Sequence, residues 1–400
     1  MKKGIRCAVC TGCGRCPGVT RQMHVVTERL EKGPVNLHND AGKRLITVDV
    51  GTTTIAMQLH KEDGSVEDWF VTVNPQVKYG ADVLSRIAAA EQRTSAEDMQ
   101  QLVLEQLQKG AAQFRKRLKE EEKPLMVLAA NTTMVYLLMG WETKELGKAP
   151  FTASHLEGVE TRIADMPCYI FPGLSAFVGG DIVAGIHACG MLKQDRPMLL
   201  IDLGTNGEMA LGDSHKLYAC ATAAGPAFEG GVNTGMWGSD MVSLIAEMLR
   251  NRLLDEEGLI AEPYFETGVR IGDVCVTQAA VRAIQLAKAA IASGIQILCE
   301  QYGCELSDIE KVVLAGGFGY YLKPADAAVI GLLPKELVDK TVTGGNTALT
   351  GALSIGEKLL HGSVGIQEAE IVQNDSLQVK IINLAEMQSF EKTYLESIKF

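Results

Sequence analysis

Two stretches of this chain end an apolar strand in the same polar turn. The first is Leu45-Ile46-Thr47-Val48-Asp49-Val50-Gly51-Thr52-Thr53 and the second is Leu199-Leu200-Ile201-Asp202-Leu203-Gly204-Thr205-Asn206. A phosphate tail needs several N–H donors converging on it with no side chain in the way. Glycine permits that approach and threonine adds a hydroxyl donor. A bare carboxylate repels phosphate, so Asp49 and Asp202 imply a bridging cation, with Mg²⁺ held through water as the usual arrangement. A third glycine stretch, Gly316-Gly317-Phe318-Gly319, follows the strand Lys311-Val312-Val313-Leu314-Ala315 and would let an adenine or ribose lie against the backbone. Each stretch alone reads as an ordinary tight turn. All three in this order point to nucleotide binding, and no Gly-x-x-x-x-Gly-Lys-Ser/Thr segment offers a P-loop instead.

A separate chemistry is written into the N-terminus. Cys7, Cys10, Cys13 and Cys16 recur at three-residue steps and Pro17 follows. Soft thiolates at this spacing suit an iron–sulfur cluster or zinc. A bacterial ferredoxin run reads Cys-x₂-Cys-x₂-Cys-x₃-Cys-Pro, and here the last gap is one residue shorter. Gly12, Gly14 and the trailing proline fit a tight loop around one [4Fe–4S] cluster. A zinc knuckle usually leaves a longer loop between its cysteine pairs, but zinc stays open, as do three-ligand or dimer-shared clusters. His24 and His38 are alternative ligands in principle, though a lone linker histidine is more often polar surface. The other six of the ten cysteines are scattered among apolar residues and read as reduced core thiols.

Elements that could position these residues follow from pattern. Residues 1–18 form the cysteine segment, and 19–44 a polar linker. From Leu45 apolar strands alternate with helical stretches, an α/β pattern. Helices are expected over 81–90, 97–120, 182–192, 277–300 and 348–360, the fourth with apolar residues at three- and four-residue steps. The repeated strand-turn implies two related halves, 45–197 and 198–400. At 400 residues the chain can build two large cores, and 46% hydrophobic with 22% charged residues is ordinary globular composition. A net charge of −11 argues against a nucleic-acid partner. The start carries no secretory signal and no apolar run suggests a membrane span, so a cytoplasmic protein is expected.

Further segments narrow the reading. They are Asn74-Pro75-Gln76 with Tyr79-Gly80-Ala81-Asp82-Val83-Leu84-Ser85-Arg86-Ile87, then Asn131-Thr132-Thr133-Met134, then Gly179-Gly180-Asp181-Ile182-Val183-Ala184. Ala223-Ala224-Gly225-Pro226-Ala227-Phe228-Glu229-Gly230 and Gln285-Leu286-Ala287-Lys288-Ala289-Ala290-Ile291 complete the set. With the turns, they resemble the actin/sugar-kinase/Hsp70 superfamily, and within it the ATPase region of the reductive activators of corrinoid-dependent methyltransferases. The likeness runs from Leu45 to Phe400. It implies an actin-like ATPase of two related ribonuclease-H-like lobes around a nucleotide cleft. It implies that ATP and Mg²⁺ meet Asp49, Gly51, Thr52 and Thr53 at one turn and Asp202, Gly204, Thr205 and Asn206 at the other. Gly316, Gly317 and Gly319 would line the adenosine pocket, with Gly225, Glu229 and Lys288 further cofactor contacts. Asp181 and Glu208 would orient the metal or the attacking water. From the residues alone, Lys288 is either a buried lysine with a phosphate or carboxylate partner or a snorkelling surface lysine. Met236 and Trp237 read as core.

Such activators use ATP to drive an electron from an iron–sulfur cluster onto an inactive Co(II) corrinoid, restoring Co(I). The resemblance therefore implies a corrinoid protein as partner, a ferredoxin or reductase as electron donor, and a plausible homodimer. This chain departs from the family in two places. Some forty residues precede Leu45 where better-known members carry a plant-type ferredoxin domain and a middle region. Ala280-Val281-Arg282 also replaces the usual Asp-Ile-Arg. Alternative readings are an activator of another low-potential metalloenzyme of the 2-hydroxyacyl-CoA dehydratase type, a small-molecule kinase with structural zinc, and an ATP-sensing scaffold without turnover.

Overall fold

The computed structural model describes residues 43–204, 206–225, 238–271, 274–362, 369, 371 and 377–400. The chain divides into two compact units. Unit 1 comprises Met1–Val183 and Ala352–Glu370, and unit 2 comprises Ala184–Gly351 and Ile371–Phe400.

In unit 1, β1 (Leu45–Val50), β2 (Thr54–His60) and β3 (Val66–Val73) form an antiparallel meander. The helices α1 (Val83–Ala90) and α2 (Arg93–Arg115) follow, then β4 (Leu125–Ala130) and α3 (Thr132–Met139). β5 (Val159–Ile163) and β6 (Met166–Ile170) complete a six-stranded sheet of order β3-β2-β1-β4-β6-β5. β4 runs parallel to β1 and β6 parallel to β4. β4 and β6 are buried throughout, as expected of parallel strands covered on both faces. α2 presents Met99, Val103, Leu107, Ala111 and Phe114 to the core beside Met57 and Leu128. These positions keep the three- and four-residue steps of one helix face.

α4 (Gly180–Cys189) runs from the first unit into the second. In unit 2, β7 (Met198–Leu203), β8 (Gly207–Gly212) and β9 (Lys216–Thr222) form another antiparallel meander. After α5 (Gly238–Arg250) come a small hairpin of β10 (Val269–Ile271) and β11 (Val274–Val276), and then the long α6 (Gln278–Tyr302). β12 (Lys311–Ala315), α7 (Gly316–Tyr321), α8 (Pro324–Val329), β13 (Thr341–Gly345), α9 (Thr347–Leu360), β14 (Gln378–Ile382) and α10 (Gln388–Glu396) finish the unit, with α9 passing back into unit 1. The sheet order is β13-β12-β7-β8-β9-β14. Read from β9, the order β9-β8-β7-β12-β13 reproduces β3-β2-β1-β4-β6, with the same strand directions. The duplicated turn thus belongs to a duplicated topology.

Helix ends follow local chemistry. The Asn131 side chain caps α3 by accepting from Met134 N–H, and Gly140 closes it in the left-handed region. Thr277 caps α6, and Gly303 ends it at φ +79°. α6 corrects one expectation: it is long and apolar enough to cross a bilayer by length and composition, but 72% of its apolar window is buried inside the protein. Ile291 and Ile295 instead join the core with Met209 and Cys220 of β8 and β9. α5 was not anticipated, although Met241, Val242, Ile245, Ala246 and Met248 do carry a helical apolar face.

Candidate nucleotide-phosphate turns

Parallel strands place their C-terminal ends at one edge of a sheet, the edge where loops of open α/β sheets bind ligands. In unit 1, Val50 pairs with Ala130, so the turn at 51–54 and Asn131 emerge side by side. Gly51 N–H donates to the Thr54 carbonyl at 2.9 Å and closes the turn. Asn131 Nδ2 donates to Thr52 Oγ1 at 3.1 Å. The Thr52 hydroxyl accepts there, which leaves its own hydrogen to be directed elsewhere. Gly179 packs on the same corner, since a Cβ there would lie 2.5 Å from Asn131 Cα and 2.6 Å from Thr132 N. That close approach brings the first turn of α4, with Asp181, to the loop that holds Thr52. Asp49, half-buried, is the penultimate residue of β1 and pairs with Ala56.

In unit 2 the same edge collects the remaining motifs. Asp202 lies opposite Glu208 across β7 and β8, and Gly204 N–H donates to the Asn206 carbonyl at 3.0 Å. Ala315 pairs with Asp202, so Gly316 opens α7 beside the second turn. Gly316 has φ +81°, and a Cβ on it would lie 2.5 Å from Asp202 Oδ1 and 2.6 Å from the Leu203 carbonyl oxygen. Gly317 meets nothing within 4 Å. Gly319, by contrast, is buried against Leu314 and works as a packing residue. β9 ends at Thr222 opposite Gly207, so Gly225, at φ +74° with open space where a Cβ would stand, leaves the sheet at this edge too.

Lys288 sits elsewhere. It is 1% exposed, so it does not snorkel. Its ammonium donates to the Lys399 carbonyl and stands 5.4 Å from the Phe400 ring centroid. Burial pulls its pKa down to about 8. The structure therefore places Lys288 with the C-terminal segment, and a backbone carbonyl is its acceptor. Arg282 is exposed. Thr205, Glu229, Met236, Trp237, His24, His38 and the four cysteines Cys7, Cys10, Cys13 and Cys16 lie outside the described residues. The scattered cysteines are free thiols, with Cys168, Cys220 and Cys299 buried. Burial raises Cys189 to about 11.

In each unit the acidic groups at the turn are of the kind that suits a hard divalent cation. Asp49 and Asp181 in one unit, and Asp202 and Glu208 in the other, offer only oxygen ligands, the preference of Mg²⁺. Among the described residues no cluster of three or more histidines, cysteines or carboxylates could hold a metal unaided. Mg²⁺ characteristically takes one or two carboxylates plus phosphate and water. Gly225 and Gly317 have open space where a Cβ would stand, and at Gly204 only the Asn206 carbonyl oxygen comes within 4 Å.

Comparison with known proteins agrees with this geometry. Residues 45–194 match the RACo middle region, and 196–237 with 231–400 match the C-terminal domain of RACo, the ASKHA domain. The middle region, counted from sequence among the parts missing before Leu45, is therefore present as 45–194. The corrinoid activation enzyme RamQ of Eubacterium limosum is 33% identical over 376 residues, covering 77% of this chain and 63% of the relative. The chain thus spans less than two thirds of that relative's length. The [Co(II) methylated amine-specific corrinoid protein] reductase of Methanosarcina barkeri is 23% identical, covering 89% of this chain and 76% of its own. A solved reductive activator for corrinoid, iron-sulfur protein superposes with a TM-score of 0.78 at 28% identity, covering 90% of this chain and 67% of the other. With both regions matched in order over an actin-like duplicated fold, the chain belongs to the RACo family of reductive activators and carries its ASKHA domain.

Proposed function

We propose that the protein is a cytoplasmic, ATP-dependent reductive activator of a corrinoid protein. The observation that carries this reading is the pair of phosphate-type turns on duplicated sheets, in a chain whose relatives are named for corrinoid activation. In the proposed reaction one electron leaves a reduced iron–sulfur centre and converts Co(II) to Co(I), while a ferredoxin or reductase restores that centre. The cysteines Cys7, Cys10, Cys13 and Cys16 would hold the cluster, whose contribution is a low-potential one-electron couple. The described residues would do the nucleotide's part. The turn at 51–54 and Asn206 would bind phosphate, Asp49, Asp181, Asp202 and Glu208 would position Mg²⁺ and water, and Gly316 and Gly317 would admit adenosine. Nucleotide binding shifts a conformational equilibrium only through different affinity for the two states. Turns at the ends of two separately packed sheets are suited to supply that difference.

The test is anaerobic purification with iron, sulfide and zinc analysis, followed by electron paramagnetic resonance of the dithionite-reduced protein. A Co(II) corrinoid protein is then mixed with the reduced chain, with and without Mg·ATP, and the Co(I) absorbance band is followed. Iron and sulfide near four per chain and Co(I) formation only with ATP are expected. One zinc per chain with no sulfide would overturn the redox reading and leave a kinase or scaffold.

A further inference from the structure

The segment 74–87 and the run Asn131-Thr132-Thr133-Met134 mark the family, yet no role in the nucleotide site follows from their sequence. In the fold both lie behind the first turn. Asn74, fully buried, donates from Nδ2 to the Gly51 carbonyl at 2.8 Å, and its backbone N–H donates to the Thr53 carbonyl at 2.8 Å. Arg86, also fully buried, donates from Nη2 to the Thr52 carbonyl at 2.6 Å. The rest of the guanidinium is itself fixed, with Nε on the Gly80 carbonyl at 3.0 Å and Nη1 on Gln76 Oε1 at 3.3 Å. Gln76 is held in turn by donating Nε2 to the Met99 carbonyl at 2.9 Å. Asp82, the N-cap of α1, feels the Arg86 charge.

The consequence is geometric. Gly51, Thr52 and Thr53 all turn their carbonyls into the protein, onto Asn74, Arg86 and Asn74 again. In a planar trans peptide the N–H points opposite to the carbonyl of the preceding residue. Fixing the Gly51 and Thr52 carbonyls on the buried side therefore aims the Thr52 and Thr53 N–H groups to the other side. A charged donor on the Thr52 carbonyl also polarises that peptide and strengthens its N–H as a donor. Asn131 completes the arrangement by orienting the Thr52 hydroxyl.

We infer that Arg86 is the positioning residue of the first phosphate turn, a buried clamp that aims two successive N–H groups and a hydroxyl at the ligand's phosphates. This rests on the nucleotide reading of that turn. The clamp acts on the phosphate-binding backbone and leaves the adenosine end alone, so its loss is specific. Arg86→Lys keeps the charge but lacks the fork needed to bond Gly80, Gln76 and Thr52 together.

The test uses the full chain, purified anaerobically, with two readouts. Amide hydrogen exchange is measured without ligand at Gly51 and Asn74, whose N–H groups bond the Thr54 and Thr53 carbonyls of the turn, with β7 and β8 as the control for folding. Affinity is measured for Mg·ATP and for adenosine. In Arg86→Lys, turn exchange should rise on the order of tenfold or more, and Mg·ATP affinity should fall by a similar factor, with adenosine affinity and the β7–β8 control unchanged. Asn131→Ser keeps a capping side chain for α3 but is too short to reach Thr52, and should give a smaller loss for Mg·ATP with adenosine spared. Wild-type exchange in the Arg86→Lys turn, or equal loss for Mg·ATP and adenosine, would overturn the clamp. A wild-type chain that binds no Mg·ATP would instead overturn the nucleotide reading and the ligand half of this inference, while the exchange readout still accepts or rejects the clamp.

Discussion

Gly316 and Gly317 are adjacent, yet substitution to alanine should act on them in opposite ways. At Gly316 the backbone is left-handed, at φ +81°, which costs a residue with a Cβ about 1–2 kcal/mol. The new methyl would also stand 2.5 Å from Asp202 Oδ1 and 2.6 Å from the Leu203 carbonyl. The carboxylate can rotate away, but the carbonyl belongs to β7 and can move only with the strand, so overpacking adds about 1–3 kcal/mol. Gly316→Ala should therefore lose about 2–5 kcal/mol, or on the order of 4–20 °C for a unit of this size. It should also lose nucleotide, because relief requires Asp202 to leave its place. Gly317 meets nothing within 4 Å and lies in the first turn of α7, where alanine gains up to about 1 kcal/mol over glycine. Gly317→Ala should keep the wild-type midpoint and still weaken nucleotide binding, because its methyl enters the space proposed for adenosine. Thermal unfolding followed by circular dichroism, with nucleotide affinity from calorimetry, reads both effects. The reasoning fails if Gly316→Ala unfolds with the wild type, or if Gly317→Ala destabilises as much as its neighbour.

Other substitutions probe the packing and the buried charge. Gly351 of α9 lies against the backbone of Ala184 in α4, and a Cβ would enter the space of the Ala184 carbonyl. Gly351→Ala should cost about 3 kcal/mol or prevent soluble accumulation. Gly303→Ala, at φ +79° with open space around it, should cost only about 1–2 kcal/mol of backbone strain, and denaturant titration compares the two. Lys288 has a folded pKa of about 8 against an ordinary 10.5. Between those values the unfolded chain binds more protons, so wild-type stability should rise with pH from about 8 upward. Relative to Lys288→Met the gain should reach about 2 kcal/mol by about pH 9.5. Parallel stability–pH curves for the two proteins would show that burial does not depress this lysine.

How far these features could be read in the sequence depended on their range. The strand-turn pairs carrying Asp49 and Asp202 were legible because hydrophobic runs and glycine turns are local, and the five expected helices lie within about five residues of their expected bounds, whereas the shorter α3, α7, α8 and α10, like α5, were not anticipated. Gly316-Gly317-Phe318-Gly319 read as a turn, and Gly316 does keep a left-handed φ of +81°, yet the segment as a whole forms α7. The partners of the first turn were beyond reach. Arg86 finds Thr52 from 34 residues away, and Asn131 finds it from 79. Lys288 meets its carbonyl 111 residues on. No spacing rule announces a contact at such separations. The return of Ala352–Glu370 to unit 1 is of the same kind, since the direction of a helix after it leaves a sheet is a tertiary property.

The two turns also show how a duplicated topology can diverge in chemistry. Four residues, 51–54, join the paired residues Val50 and Ile55 in the first copy, but only three, 204–206, join Leu203 and Gly207 in the second. The residue across the ladder from the aspartate differs as well, Ala56 opposite Asp49 and Glu208 opposite Asp202. Like charges directly opposed across an antiparallel pair repel, and a divalent cation offsets that repulsion. The first turn instead has the Arg86 guanidinium behind it and inward-facing carbonyls, the electrostatics that favour an anion in front. The two copies thus share a topology but differ in turn length and in the charged groups around the turn.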